Sequence, residues 1–346
     1  WLTAVITIAL IWVYTFKGGI KTIVYTDTFQ TVFLISSVVI CTIIISQALN
    51  VDFIGLFEKI SASKTTNGGS MSQIFFFDDP LAKNFFPKHF FGGMFLAIAM
   101  TGLDQDLMQK NLTCKTIGDA QKNMYSFTTI LLFTNFLFLL LGGALYVYSN
   151  SKGIELPMND GKVITDHVFP TLALNNFGII AGIFFLLGIT ASSYASADSA
   201  LAALTTGFCI DFLNFNMREE KERQKLKLIV HVGFSLLFLI IILLTKMYVT
   251  ANPGTDLISL ILKIASYTYG PLLGLFAFGI FTKRNPKAIL VPFICVLIPF
   301  LCFYLDKFSA NLFGAYKFGY EMLIINGTLT FVFLYLSSFF TTKKSN

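Results

Sequence analysis

Five charged residues interrupt long apolar stretches of this chain, and their types could do chemistry. They are Asp27, Asp104, Asp106, Asp198 and Lys263. A charged side chain at membrane depth is costly, so it is a candidate for binding an ion, relaying a proton or meeting a substrate. The interpretation of these residues depends on whether the surrounding stretches cross a membrane.

The stretch that is richest in small and polar residues runs from Ser192 to Ser199 and reads SSYASADS. Ser192, Ser196 and Ser199 recur at spacings of four and three, which places them on one helix face. Small residues such as Ala195 let a neighbouring helix approach closely. Hydroxyl oxygens beside the Asp198 carboxylate suit a hard cation such as Na⁺ or a proton relay. Alternatively, the hydroxyls bond back to carbonyls one turn earlier and the face serves only packing.

The other charged residues allow two interpretations each. Asp104 and Asp106 either cap a helix at the inner end of a span or act at membrane depth. Lys263 either extends its amine toward the surface or faces a cavity, where it meets an anionic substrate or an internal carboxylate. No Ser-His-Asp arrangement, phosphate-binding glycine motif or metal-ligand cysteine spacing is present in the sequence. The sequence therefore predicts that the protein is not an enzyme.

The composition indicates a membrane protein. Hydrophobic residues make up 55% of the 346 positions and charged residues only 13%, against about 25% charged in soluble proteins. A spanning helix needs about 20 mostly apolar residues. The predicted spans are residues 2–16, 22–46, 90–108, 127–149, 177–206, 228–249, 257–281, 288–305 and 322–340. Because these runs are continuous rather than alternating, they favour an all-α polytopic membrane protein over a barrel.

The net charge of +6 fits a lipid bilayer as partner without invoking nucleic acid. With the loop around Lys17 and Lys21 placed inside, alternation of the spans puts most lysines and arginines on the cytoplasmic side. Two outside loops, 47–89 and 150–176, are long. Each is either a solvated loop with phenylalanines at the interface or a lid over an outer vestibule.

Four stretches in order resemble the sodium:solute symporter family. They are YTFKGGIKTIVYTDTFQT (14–31), DQDLMQKNLTCKTIGDAQKN (104–123), FGIIAGIFFLLGITASSYASADSALAALTTGFCIDF (177–212) and YGPLLGLFAFGIFTKR (269–284). The resemblance implies a leucine-transporter-type fold, in which two inverted five-helix repeats hold sites where helices break. The chain would carry this fold in part, from core helix four through ten with two trailing helices, and helices one to three are expected to precede it.

The same resemblance implies a division of the chain. Residues 1–46 end the first repeat, and residues 47–89 form an extracellular or periplasmic loop. Residues 90–285 make up the second repeat, and residues 286–346 hold the trailing helices and a short cytoplasmic tail.

Sodium ligands are also implied by the resemblance. The family's conserved site falls on Ser192, Ala195 and Ser196, where Ala195 lacks the usual hydroxyl. A second site in some members falls on Asp27 and Ser199, with Asp198 as an added carboxylate. We therefore expect Asp27 and Asp198 to approach each other around one ion or water.

Substrate contacts are implied at Met100, Thr101 and Lys263. Met100 occupies the position of an aromatic inner gate in the family's sugar branch, which argues against a sugar. Lys263 occupies the position of a substrate-contacting glutamine, and a cation there hints at a carboxylate-bearing solute.

The predicted function is sodium-coupled uptake of a small organic solute by alternating access, in the inner cell membrane. Na⁺ is the expected cofactor. The alternative is a solute-sensing membrane domain of a signalling receptor.

Overall fold

The computed structural model describes residues 2, 5–9, 20–65, 68–159, 161–252 and 255–340. The side chains of residues 20–27, 106, 109, 110, 195 and 216 lie outside this description. Most of the first predicted span, 2–16, also lies outside it, although residues 5–9 are helical.

Helices dominate the described residues. They are α1 (Ile20–Ala48), α2 (Phe53–Ala62), α3 (Phe86–Gly102), α4 (Gln105–Leu112), α5 (Ile117–Lys152), α6 (Thr165–Asn175), α7 (Gly178–Leu213), α8 (Glu220–Ala251), α9 (Leu257–Phe281), α10 (Leu290–Lys307), α11 (Ser309–Phe313) and α12 (Met322–Ser337). Within the described ranges, seven helices are long and apolar enough to cross a membrane, and all seven fall on predicted spans. This confirms the prediction of an all-α polytopic membrane protein.

The third predicted span, 90–108, is not one continuous helix, and that prediction is wrong. The α3 helix ends at Gly102, and α4 begins at Gln105 after a break at residues 103–104. The Asp104 carboxylate accepts a hydrogen bond from the Leu107 N–H at 3.0 Å, which caps the new helix. Summed hydropathy does not detect such a break, because the strongly apolar residues of α3 outweigh the polar residues that begin α4.

The described helices form two compact units. The first comprises Trp1–Ser72 and Gln109–Asp256, and the second comprises Gln73–Met108 and Leu257–Asn346. These units are defined by the contacts within each of them, whereas the predicted division into repeats is defined by internal symmetry. The predicted division therefore stays a prediction.

The core of the first unit brings α1, α2, α5, α6 and α7 together. Ile45 of α1, Leu56 of α2 and Leu172 of α6 are each 0% exposed within one apolar cluster. The short helix α2 lies directly on α5, because a Cβ added at Gly143 would come within 2.8 Å of Ile60. This packing holds the short helix α2 against the longer helix α5.

Helix α1 packs closely on α7 in the same unit. A Cβ added at Gly188 would lie 3.2 Å from Leu34 Cα, and the rings of Phe33 and Phe184 are 6.5 Å apart. Small residues at a helix contact let two backbones approach in a membrane. The small residues of α7 therefore serve packing at this level of the helix.

In the second unit, α9 and α12 approach even more closely. A Cβ added at Gly270 would lie 2.1 Å from Asn326 Cγ, and one added at Gly274 would lie 2.6 Å from the Gly327 carbonyl oxygen. Asn326 is 0% exposed at this contact. The two helices therefore form one tightly packed pair.

The two long outside loops contain short ordered elements that the sequence analysis did not predict. The loop 47–89 includes α2, and the loop 150–176 includes α6 and a two-stranded hairpin, β1 (Met158–Asn159) with β2 (Lys162–Val163). A search for stretches of about 20 apolar residues cannot detect helices of this length.

Candidate functional site

The predicted sodium residues on α7 divide by exposure. Asp198 is 0% exposed and Ser199 is 5% exposed, so both lie inside the unit. Ser192 is half-buried, whereas Ser196 is exposed. The described residues therefore enclose the Asp198 end of the predicted site but not the position around Ser196. Ala195 has a helical backbone, and its side chain lies outside the description.

One hydroxyl in this stretch bonds back along its own helix. Ser193 donates to the Ile189 carbonyl at 2.8 Å, which is the packing alternative considered for this face. Ser193 was not among the predicted ligands. This bond satisfies the Ser193 hydroxyl within its own helix. Ser193 can therefore serve as a control when the proposed ligand serines are replaced.

The predicted approach of Asp27 to Asp198 involves the Asp27 side chain, which lies outside the description. Asp27 belongs to the helical backbone of α1, and α1 packs on α7 through the contact of Leu34 with Gly188. The two helices that carry these carboxylates are therefore neighbours, and the approach itself stays a prediction.

The oxygen donors on α7 fit a hard cation better than a transition metal. Among the described residues, no three His, Cys, Asp or Glu side chains gather where they could hold a metal ion. The buried donors here are the Asp198 carboxylate, the Ser199 hydroxyl and backbone carbonyls. Hard cations prefer oxygen ligands of these kinds.

Met100 and Thr101 lie in the last turn of α3, immediately before the break at residues 103–104. A helix end leaves its last carbonyls without intrahelical donors, so backbone oxygens become available there. The Met100 side chain is partly buried and packs against a cluster that includes Ala99, Ala265 and Leu323. Thr101 is half-buried. For Asp104, the structure supports the capping alternative, and the Asp106 side chain is not described.

Lys263 meets an internal carboxylate, which was one of the alternatives open in the sequence. Its Nζ lies 2.7 Å from Asp306 Oδ2 on α10. The Tyr267 hydroxyl, one turn along α9, donates to the same oxygen at 2.6 Å. The Asp306 side chain is 13% exposed and the Lys263 side chain is 52% exposed. Lys263 therefore pairs with a carboxylate near the end of α10 while its side chain stays half-exposed.

Asp306 and Tyr267 were both missed by the sequence analysis. The available signal was an acid just past the predicted span 288–305 together with a lysine within another predicted span. The two partners of the hydrogen bond are 39 positions apart in sequence. A residue count cannot tell which faces of two helices meet, so the pair could not be assigned.

Asn326 is the other polar residue that the sequence analysis missed. It lies in α12, and its side-chain amide donates to the Tyr267 carbonyl at 2.7 Å and to the Ser266 carbonyl at 3.3 Å. Pro271 lies within α9 four residues after Tyr267, and proline has no N–H to bond that carbonyl. Asn326 therefore supplies the donor that Pro271 removes.

These features define a polytopic helical membrane protein: apolar spanning helices, a helix broken at a capping aspartate and charged side chains held within spans. The family model "Sodium:solute symporter family" matches residues 1–288. The chain belongs to this family, which confirms the resemblance found in its sequence.

Known proteins similar to this chain include a "Sodium-coupled monocarboxylate transporter 2" from Homo sapiens. It is 29% identical over 271 residues, which cover 77% of this chain and 42% of the relative. A "Sodium/sialic acid symporter NanT" from Aliivibrio fischeri is 23% identical over 323 residues, which cover 92% of this chain and 61% of the relative. The chain thus spans roughly half the length of these relatives. Neither the family nor these relatives support the alternative of a signalling receptor.

A solved structure supports the fold. It is described as the "Substrate-bound outward-open state of a Na+-coupled sialic acid symporter", and it matches with a TM-score of 0.74 at 18% identity. The match covers 99% of this chain and 67% of that chain. The similarity confirms the predicted fold class of the chain.

Proposed function

We propose that this protein is a sodium-coupled secondary transporter that takes up a small organic solute by alternating access in the inner cell membrane. Asp198, 0% exposed on α7 beside Ser199, is the observation that carries the proposal. A fully buried carboxylate is costly unless a cation, a proton or several donors accompany it. In a chain whose relatives are named sodium-coupled transporters, Na⁺ is the cation that best fits this requirement.

The proposed Na⁺ ligands come from two neighbouring helices. They are Asp27 of α1 and Ser192, Ala195, Ser196, Asp198 and Ser199 of α7, with a backbone carbonyl serving where Ala195 has no hydroxyl. The donors fit the ion, because a hard cation accepts carboxylate, hydroxyl and carbonyl oxygens together. Bound Na⁺ would supply the positive charge that balances the buried Asp198 carboxylate.

The register of α1 on α7 supports a shared ion. Asp27 lies seven residues before Leu34, and Asp198 lies ten residues after Gly188, which contacts Leu34. Alternating spans require these two helices to run antiparallel, so both displacements point the same way. They amount to about 10 Å and about 15 Å along the helix at 1.5 Å per residue. The two carboxylates would then lie at similar depth.

The proposed solute carries a carboxylate. The relatives named above are described as transporters of monocarboxylates and of sialic acid, and both kinds of solute contain a carboxylate group. Met100 and Thr101, at the break that follows α3, and Lys263 on α9 are the proposed substrate contacts. We infer that the protein moves its solute unchanged and performs no catalysis.

The test is uptake by the protein expressed from its complete gene in membrane vesicles. The solute panel contains short monocarboxylates, sialic acid and a neutral sugar, each measured with Na⁺ or with K⁺ outside. We expect Na⁺-dependent uptake of a carboxylate, and Asp198→Asn should abolish it. Uptake that is equal in Na⁺ and K⁺ for every transported solute would contradict the proposal.

A pair of serine variants separates a sodium ligand from a packing residue. Ser196→Ala should raise the Na⁺ concentration needed for half-maximal uptake, because the ion loses one oxygen. Ser193→Ala is the matched control, since its hydroxyl is already bonded to the Ile189 carbonyl at 2.8 Å. Equal responses of the two variants would remove Ser196 from the ligand set.

A further inference from the structure

A cavity of about 290 Å³ with a mostly apolar lining lies within the second unit, next to the ion pair of Lys263 and Asp306. Its other polar walls include Lys83 and His89, and Phe318 and Met322 supply apolar surface. Ligand pockets usually measure about 300–1,000 Å³, so this cavity suits a ligand of few heavy atoms.

The ion pair leaves hydrogen-bond donors on Lys263 and an acceptor on Asp306 unused. Lys263 has three N–H donors, and among the described residues only Asp306 pairs with its amine, at 2.7 Å. Both contacts to Asp306, from Lys263 and from Tyr267, fall on Oδ2. Asp306 Oδ1 accepts no hydrogen bond from the part of the chain that the structure describes. The pair therefore offers donors and an acceptor side by side.

The charge of the cavity favours a monoanion. Among the residues that line the cavity, the two lysines, Lys83 and Lys263, outnumber the one carboxylate, Asp306, by one charge. The Lys83 amine has no ion pair or hydrogen bond with any residue described here. A singly charged carboxylate would neutralise the cavity and occupy the spare amine donors.

One wall of the cavity is held in place by the loop before α12. The Glu321 carboxylate accepts hydrogen bonds from the Gly319 N–H at 2.9 Å and from the Tyr316 hydroxyl at 3.0 Å. Burial, reinforced by the neighbouring Glu321 carboxylate, raises the pKa of Tyr316 to about 12. Tyr316 thus remains a donor at neutral pH, and Gly319 stays fixed at the cavity edge.

We propose that this cavity binds a small monocarboxylate that carries a hydrogen-bond donor next to its carboxylate, with Lys263 and Asp306 as a two-point recognition pair. Lys263 takes the carboxylate, and Asp306 Oδ1 accepts from the neighbouring donor. The inference deepens the proposed function by naming a ligand class, and it rests on that function only in taking the bound ligand to be the transported solute.

The probes are 2-hydroxypropanoate and propanoate, which differ by the hydroxyl that Asp306 would recognise. Binding is measured by calorimetry on the purified protein from the complete gene, at one constant Na⁺ concentration and without a gradient. We expect the hydroxy acid to bind about tenfold more tightly, as one additional hydrogen bond would give. Equal affinities for the two probes would overturn the role of Asp306.

Two variants test the two recognition points. Lys263→Gln should weaken both probes about 10- to 100-fold, because each loses a charge-assisted hydrogen bond. Asp306→Ala should bring the preference for the hydroxy acid close to one, while propanoate binds at least as tightly as before because Lys263 loses its competing carboxylate. Lys307→Gln is the matched control, because it removes the neighbouring cation, which lies over the Phe308 ring, and it should change neither affinity.

Each remaining outcome decides between this proposal and a simpler one. Equal weakening of both probes by Asp306→Ala, together with a lowered melting temperature, would make the ion pair a structural clamp and overturn recognition. Chloride that displaces 2-hydroxypropanoate at comparable concentration would make the cavity a general anion site. Binding that follows the expected pattern without Na⁺-driven uptake would refute the transport proposal and leave this one standing.

Discussion

Replacing Asn326 by leucine should destabilise the second unit, because α9 depends on a donor supplied by α12. Pro271 has no N–H for the Tyr267 carbonyl, and the Asn326 amide supplies one at 2.7 Å. Asn326→Leu preserves the approximate volume of a side chain that is 0% exposed, so the cavity contribution is small. What is lost is the hydrogen bonding to two carbonyls.

The expected loss is about 1–2 kcal/mol of unfolding free energy. Hydrogen bonds between membrane helices average about 0.6 kcal/mol and reach about 1.7, and the bond to the Ser266 carbonyl is the longer one, at 3.3 Å. Leaving the Tyr267 carbonyl without a donor in a buried position costs about 1–3 kcal/mol. Asn326 Oδ1 is itself buried without a hydrogen-bond partner among the described residues, and its removal offsets part of that cost.

Asn326→Asp should be more harmful than Asn326→Leu. An ionised aspartate has no donor and would place a charge against two carbonyl oxygens in a buried site. Thr330→Val is the matched control on α12, because the Thr330 hydroxyl is buried with no partner that the structure describes. Its removal should be neutral or slightly stabilising.

The assay is the midpoint of denaturant-induced unfolding in detergent micelles, with tyrosine and tryptophan fluorescence as the signal. The expected order of stability places Thr330→Val at or above the unmodified protein, then Asn326→Leu, then Asn326→Asp. The reasoning would be refuted by an Asn326→Leu protein as stable as the unmodified one, or by an Asp variant more stable than the Leu variant.

Three further predictions concern other contacts. Gly270→Ala should lower the unfolding midpoint, because its Cβ would lie 2.1 Å from Asn326 Cγ, whereas Gly279→Ala on the same helix meets nothing within 4 Å; equal midpoints for the two variants would contradict this. Asp104→Ala should speed hydrogen exchange in α4 by removing a cap that contributes about 1 kcal/mol, while Asp104→Asn, which can still cap, should exchange as before. Ala195→Ser should lower the Na⁺ concentration for half-maximal uptake by adding a ligand hydroxyl, and unchanged Na⁺ dependence would count against that position.

The sequence was sufficient to predict the spanning helices, because hydropathy is a local property that twenty residues carry by themselves. It predicted a continuous third span because the apolar residues of α3 dominate the average over residues 90–108 and conceal the polar start of α4. The position of Asp104 by itself allows a helix cap. What could not be predicted is that this cap begins a new helix, since that depends on the backbone direction at Leu103.

Pairing between helices was beyond the reach of sequence patterns. The period of α9 places Lys263 and Tyr267 on one face, but it does not identify the helix that this face meets. Pro271 signals a carbonyl in need of a donor, yet the donor comes from Asn326 on α12. Such partners are fixed by the rotation of each helix about its axis, which depends on the packing of all neighbouring helices.

The packing of the second unit also bears on how its cavity would exchange a ligand. Gly270 and Gly274 lie so close to α12 that neither position has room for a Cβ, and helices at this distance cannot slide without first separating. The hydrogen bond from Tyr267 to Asp306 ties α9 to α10 as well. Because these contacts hold the three helices together, the half-exposed Lys263 side chain is the part of the pair that can rotate away once its contact with Asp306 breaks. Ligand exchange at the proposed recognition pair would therefore need only a side-chain rotation of Lys263 and no movement of its helix.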